Sequence, residues 1–246
     1  MSDHAIDGMN AASLAAALSL PRVLLLPRVT STMDEAHQLG AAGAPGGTLV
    51  VADEQTAGRG RGGRSWSSAE GRGLWMTLLE RPADATGLTV LSLRLGLRAA
   101  SVLDRPAGLP VRIKWPNDLY AGPQKLAGVL VEARWRDGKP DWVAIGIGVN
   151  ITPPPDLEGA GGLTPGTTRA TLVLALVPAL RAAAAMRGLL TPAELAEFDA
   201  RDFARGRRCV RPGTGVATGI TADGALIITG EHGVEHHRAG SLEFAI

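Results

Sequence analysis

The sequence predicts an α+β chain in two parts, a strand-and-helix unit over residues 1–203 and a small all-β unit over residues 204–246. Three observations predict it. Short apolar runs of strand length alternate with longer stretches of helical spacing as far as Phe203. From Gly206 the helical spacing stops, and turn signals recur at Pro212-Gly213, Asp223-Gly224, His232-Gly233 and Ala239-Gly240. Finally, 246 residues with 45% apolar and 20% charged side chains can bury a substantial core.

In chain order, residues 22–27 (RVLLLP) read as a buried strand. Ser31-Thr32-Met33-Asp34-Glu35 then offers a hydroxyl cap followed by acids for the positive first turn, so a helix starts here, with Gly40 and Gly43 as its stops. Residues 48–53 (TLVVAD) form a second buried strand, and strand character resumes at 74–79. Residues 88–103 have helical spacing, and 111–115 form a strand closed by the Pro116-Asn117-Asp118 turn. Strands at 124–133 and 142–149 are joined through Asp137-Gly138-Lys139; a loop over 153–166 precedes helices at 169–187 and 192–203. The apolar stretches 11–26 and 171–180 are broken by Pro21-Arg22 and Pro178 and fall short of the ~20 residues a membrane span needs, so both are expected in packed helices. With no export signal and a free thiol, the cytoplasm is the expected compartment.

Charge and cysteine content exclude several classes. Lys+Arg 25 against Asp+Glu 24 gives a net charge of +1, which disfavours a nucleic-acid-coating protein or one lying on an anionic membrane. The lone Cys209 precludes an intramolecular disulfide or multi-cysteine zinc site, and is expected as a small core residue. His232 and His236-His237 have metal-like spacing but lie on a predicted hairpin without partners, so a strand edge is expected. Trp75, Trp135 and Trp142 are expected to pack.

Every residue from Gly58 to Arg64 is glycine or arginine. Glycine lets the backbone approach a ligand closely, and arginine offers a planar cationic fork for carboxylate or phosphate. In a chain of net charge +1 this concentration suits a compact anion. Gly58, Gly60 and Gly63 also match G-x-G-x-x-G after a strand, with Glu80 placed as a ribose-binding acid. A dinucleotide site would need a helix opening at the third glycine, yet residues 64–73 lack apolar periodicity. Further on, Lys114 leaves a strand just before the Pro-Asn-Asp turn, Lys125 opens the next strand, and Gly128 leaves room beside it. Gly146-Ile147-Gly148-Val149-Asn150 ends a strand in small residues and an amide.

Four blocks, namely Ser31-Thr32, residues 55–66, residues 114–118 with 125–132, and residues 146–150, resemble the biotin protein ligase family (biotin–[acetyl-CoA-carboxylase] ligase) in order and spacing. The resemblance is close over 23–150 and loose over the C-terminal β segment. It implies a class II synthetase-like catalytic domain with a mixed, mainly antiparallel sheet over 1–203, and an SH3-like β-barrel over 204–246. Members join biotin and ATP into biotinyl-5′-AMP and pass biotin to a lysine of a biotin carboxyl carrier protein. By this resemblance Ser31, Thr32, Met33, Gln55 and Gly146 fall on the biotin side, with Met33 where many members carry Asn. Arg59, Gly60 and Arg61 form a loop over biotin and adenylate, Lys125 meets the biotin carboxylate and phosphate, and Gly128 opens the pocket. Lys114, Gly58, Arg64, Asn117, Trp66 and Asn150 fall on the ATP side, Trp66 shielding adenine. Asp118 lies near magnesium and the attacking lysine.

The catalytic set implied is Lys114, Arg61, Lys125 and Asp118, with ATP and magnesium as co-substrates and no tightly bound prosthetic group. The residues ahead of the first strand are too few for a helix-turn-helix domain, so the short form without sequence-specific DNA binding is expected. No membrane partner is expected, and a sheet edge would permit a homodimer. A lipoate or octanoate ligase of related fold, an NAD-binding oxidoreductase and RNA binding through the Arg-Gly segment are the alternatives.

Overall fold

A computed structural model of the protein describes residues 4–245. In chain order its elements are β1 (Ala5–Ile6), β2 (Met9–Asn10), α1 (Ala11–Leu18), β3 (Arg22–Val29), α2 (Thr32–Ala41), β4 (Thr48–Gln55), β5 (Gly73–Glu80), α3 (Leu91–Ala107), β6 (Val111–Lys114), β7 (Asp118–Ala121), β8 (Gln124–Arg136), β9 (Lys139–Asn150), α4 (Arg169–Ala184), α5 (Pro192–Arg201), β10 (Arg208–Arg211), β11 (Gly215–Ile220), β12 (Leu226–Gly230), β13 (Gly233–His237) and β14 (Glu243–Phe244). Seven strands form one sheet in the order β3-β4-β5-β9-β8-β7-β6. Only β3 and β4 run parallel; every other pairing is antiparallel.

Strand alternation sorts side chains onto two faces of this sheet. Leu74, Met76 and Leu78 of β5 and Ile145, Ile147 and Val149 of β9 join one large buried cluster with residues of α1, α3 and α4. The opposite face is covered by α2, whose Met33, Ala36 and Leu39 pack with Val50, Leu79, Trp142 and Ala144 in a smaller cluster. Helix α2 starts where the sequence predicts, its Ser31 side chain accepting from the Met33 N–H and Asp34 and Glu35 in the first turn. Gly40 does not stop it; the helix runs through to Ala41, and Gly43 beyond takes φ 85°.

The small β unit is the five-stranded antiparallel ladder β13-β12-β11-β10-β14. Among the described residues β13 and β14 do not pair, so the expected barrel is an open ladder. Its Cys209, Ala217, Leu226, Ile228 and Leu242 belong to the same hydrophobic cluster as the central sheet, and Trp115 Nε1 donates to the Gly224 carbonyl at 3.0 Å. Cys209 is buried, as expected, and burial pushes its thiol pKa up. Helix α5 bridges the two units; its N-terminal Thr191–Glu194 capping box receives Arg94 from α3, at 2.6 Å from Nε to Glu194 Oε1.

Several expectations change. Trp75 and Trp142 are buried, but Trp135 is 56% exposed, because it lies near the tip of the long β8–β9 hairpin, past the cover of the helices. Strand β7 replaces what reads as plain turn: Lys114 pairs with Asp118 and Val111 with Ala121 in a tight hairpin. The β1–β2 hairpin, turned by Asp7 and Gly8 at positive φ, has no counterpart in the sequence reading. His236 and His237 lie on the edge strand β13, as expected.

Candidate active site

The face of the sheet beneath α2 is not filled along its whole length. In register, Thr77 pairs with Gly146 and Trp75 with Gly148, while β8 sets Gly128 opposite Gly148. These positions share one face, so three of the side chains that would cover it are missing. A Cβ at Gly148 would lie 2.5 Å from Trp66 Nε1, one at Gly128 3.0 Å from Trp66 Cζ3, and one at Gly146 2.8 Å from Met33 Cε. The glycines thus form the floor of a cleft in which the Trp66 indole and the Met33 methyl rest directly on backbone.

One end of the cleft is a network of neutral polar groups. Gln55 Oε1, at the end of β4, accepts from the Thr32 amide at 2.8 Å and from Thr32 Oγ1 at 3.1 Å. The Thr32 hydroxyl also lies 2.8 Å from Thr77 Oγ1, and Gln55 Nε2 donates to Ser68 Oγ at 2.7 Å. This end can exchange hydrogen bonds with an uncharged polar group, with both donors and acceptors fixed in place.

The arginine–glycine segment is a hairpin across the cleft. Trp66 N–H donates to the Gly58 carbonyl at 2.8 Å and Gly60 N–H to the Arg64 carbonyl at 2.7 Å. Gly62 and Gly63 at the tip have φ 64° and 75°, a region that costs a side-chain-bearing residue about 1–2 kcal/mol. Gly58 serves differently: a Cβ there would lie 2.5 Å from the Trp66 carbonyl oxygen, so the two legs can close only over glycine.

The other end is cationic. Lys125 Nζ lies 2.8 Å from Asp118 Oδ1 and 5.0 Å from the centre of the Trp66 ring. Asn117 Nδ2 donates to the Val129 carbonyl at 2.8 Å, which turns its Oδ1 toward Arg61 Nη1 at 3.3 Å. Arg64 reaches Ser241 of the small β unit. Lys114 stands behind this end, its Nζ 5.3 Å from the Phe244 ring centre. Burial, reinforced by Lys125, Arg207 and Arg64 and opposed by Asp118, holds the Lys114 pKa below its ordinary value. So many cations around one carboxylate leave an excess of positive charge suited to phosphate.

Of the residues singled out in the sequence, Ser31, Thr32, Met33, Gln55, Arg59, Gly60, Arg61, Arg64, Trp66, Asn117, Asp118, Lys125, Gly128 and Gly146 line this one cleft. Gly58 lies under the hairpin base, Lys114 behind the cationic end, and Asn150 below it, donating to the Lys125 carbonyl at 3.3 Å. Thr77, Leu130 and Gly148 also line the cleft and were missed. The spacing of Gly146 and Gly148 shows in the sequence that one face of the strand is emptied, but only the pairing with Trp75 and Gly128 places Gly148 in the cleft. No helix opens after Gly63, where the chain runs irregularly to the start of β5, and this overturns the dinucleotide-fingerprint alternative.

A mixed sheet with a glycine-floored cleft, polar at one end and cationic at the other, has the chemistry to take an uncharged polar group and an anion side by side. The chain belongs to the biotin/lipoate A/B protein ligase family, whose profile matches residues 25–150. It is 42% identical over 129 residues to the bifunctional ligase/repressor BirA of Bacillus subtilis, a match spanning 52% of this chain and 40% of that one. It is 38% identical over 146 residues to the biotin–[acetyl-CoA-carboxylase] ligase of Paracoccus denitrificans, spanning 58% and 59% of the two chains. The chain thus spans about half the length of these curated relatives. Among solved structures, the biotin protein ligase of Aquifex aeolicus in complex with biotin and ATP superposes with a TM-score of 0.74 at 26% identity, covering 92% of this chain and 99% of that one. The mixed, mainly antiparallel fold implied by the resemblance is therefore observed.

Proposed function

We propose that this protein is an ATP-dependent biotin ligase that makes biotinyl-5′-AMP and transfers biotin to a lysine of a biotin carboxyl carrier domain. The observation that carries the reading is the polarity of the cleft: the neutral Thr32–Gln55–Thr77 network suits a ureido group, and Lys125 with Arg61 suits a carboxylate joined to phosphate. In the first step a biotin carboxylate oxygen attacks the α-phosphorus of MgATP and the bond to the β-phosphate oxygen breaks, releasing pyrophosphate. The substrate supplies the nucleophile, so the protein's task is to align the reactants and stabilise charge on phosphorus and on the leaving group. Lys125, Arg61 and Lys114 do this, with Arg64, Asn117, Asn150 and Gly58 shaping the nucleotide side, and magnesium arrives with ATP. In the second step the acceptor amine attacks the acyl carbon and AMP leaves; Asp118, at the cleft wall, takes the amine proton.

The catalytic unit covers 1–203 and the β unit 204–246, and the reaction takes place in the cytoplasm. The test is one tube of protein, biotin, MgATP and carrier domain, read by streptavidin blot and by pyrophosphate release. ATP-dependent label on the carrier establishes both steps, and Lys125→Ala is expected to weaken biotin binding and adenylation by about tenfold or more. Label from lipoate but not from biotin would replace this reading with that of a lipoate ligase.

A further inference from the structure

The three arginines of the hairpin are not equivalent. Arg61 and Arg64 have no carboxylate partner among the described residues, whereas Arg59 has two: Nη1 lies 2.7 Å from Asp34 Oδ1 and Nη2 2.5 Å from Glu132 Oε1. Asp34 sits in the first turn of α2, directly after Thr32 and Met33, and Glu132 lies on β8, the strand of Lys125 and Gly128. One guanidinium therefore ties the hairpin to both walls of the cleft. The hairpin's other side-chain ties to the body are longer, 3.3 Å from Arg61 to Asn117 and 3.4 Å from Arg64 to Ser241.

Behind Glu132 stands a second layer. Trp142 Nε1 lies 3.0 Å from His37 Nδ1. Indole nitrogen only donates, so Nδ1 must be the bare acceptor and the imidazole proton must sit on Nε2. That Nε2 is 2.9 Å from Glu132 Oε2 and donates to it. Burial, together with Arg134 and Arg59, lowers the His37 pKa against the pull of Glu132, which keeps the ring in this neutral form. Trp142 thus selects the tautomer, His37 orients Glu132, and the free oxygen of Glu132 is aimed at Arg59. Arg134, 3.6 Å from Glu132 on the solvent side, is the remaining charge on this carboxylate.

We propose that Glu132, oriented by His37, is a positioning residue that clasps Arg59 and so holds the arginine–glycine hairpin over the cleft, leaving Arg61 and Arg64 to meet the anion. Two carboxylates neutralise Arg59, so its guanidinium acts as the hinge clasp rather than as a ligand for phosphate. The chemical consequence, retention of the acyl-adenylate, rests on the ligase reading; the clasp itself does not.

The experiment uses full-length protein with Glu132→Gln, His37→Leu and His37→Gln, the last keeping an amide that can donate to Glu132. Trypsin cleavage within residues 59–64 is timed without biotin or ATP. The clasp predicts cleavage about tenfold faster in Glu132→Gln and His37→Leu, with His37→Gln restored toward wild type. The same proteins, given biotin and MgATP, are expected to release about tenfold more free adenylate per pyrophosphate than wild type. If His37→Leu loses its fold, Asp34→Asn, at a half-exposed position, gives the same readout. Equal cleavage in all folded variants, or no rescue by His37→Gln, overturns the proposal. Wild type that makes no adenylate while the variants are still cut faster would sink the ligase reading and leave the clasp standing.

Discussion

On one face of the central sheet, Leu74, Met76, Leu78, Ile145, Ile147 and Val149 are buried in the main core against α3 and α4. On the other face, the intervening positions of the same two strands hold Trp75, Thr77, Gly146 and Gly148, with Asn150 at the end. The backbone ladder serves both faces at once, so trimming side chains on one face leaves the hydrogen bonds and the opposite core intact. A cleft is thereby made by subtraction in the middle of the seven-stranded sheet. Its cover is local: α2 at one end, through Met33, and the arginine–glycine hairpin at the other, through Trp66. The closed face sets stability and the open face sets what is bound, and substitutions on each should separate the two.

The largest loss is expected where the closed face's helices are joined by charge. Arg94 is fully buried and Glu194 nearly so, and the pair ties α3 to the start of α5. Glu194→Ala leaves a buried guanidinium unpaired and should cost about 3–5 kcal/mol in urea unfolding. Burial alone would raise the Glu194 pKa, but its hydrogen bonds from Arg94 and Thr191 hold it below the ordinary 4.5. A carboxylate depressed in this way stabilises the fold above the ordinary Glu range, and that contribution fades as pH falls through the lower folded value. Glu194→Gln should therefore flatten the acid limb of stability against pH; an unchanged limb would show that other carboxylates carry it. A smaller loss, about 0.5–1.5 kcal/mol, is expected for Ile145→Val on the same face, with biotin affinity unchanged in titration calorimetry.

The difference between the faces was only partly legible in the sequence. Ser31-Thr32, the Gly58–Arg64 run and the Lys114–Asp118 turn could be read because each packs its chemistry into adjacent residues at an element's end. Thr77 and Gly148 could not be assigned so directly. Their place in the cleft depends on register across β5, β9 and β8, and that register is set by pairings between residues far apart in the chain, such as Thr77 with Gly146 and Trp75 with Gly148. Strand β7, four residues long, is too short to display alternation, and it exists because β6 and β8 flank it. Trp135 reads as a packing residue by type, but its position near a hairpin tip decides its exposure. In the same way the Arg-Gly run was legible as a cluster of cations, while the division between Arg59, paired with two carboxylates, and Arg61, which meets the Asn117 amide, needed Asp34 and Glu132 brought together from two other elements.

The smallest stability change, and the sharpest separation, is expected for Gly148→Ala. Its backbone is ordinary extended strand, so alanine brings no conformational penalty and removes some of glycine's entropic cost, about 0.5–1 kcal/mol. Against that, the new Cβ would lie 2.5 Å from Trp66 Nε1 and 2.6 Å from its Cε2, so the indole must shift. Trp66 Nε1 is buried without a hydrogen-bond partner, and the shift breaks no such bond there. Unfolding free energy should therefore stay within about 1 kcal/mol of wild type. The displaced ring lines the cleft beside Lys125, so tryptophan emission should change and biotin affinity should fall by about tenfold or more, about 1.4 kcal/mol of binding free energy. The opposite pattern, several kcal/mol of lost stability with biotin binding intact, would mean that the glycine face is packed core like its reverse and that the cleft lies elsewhere.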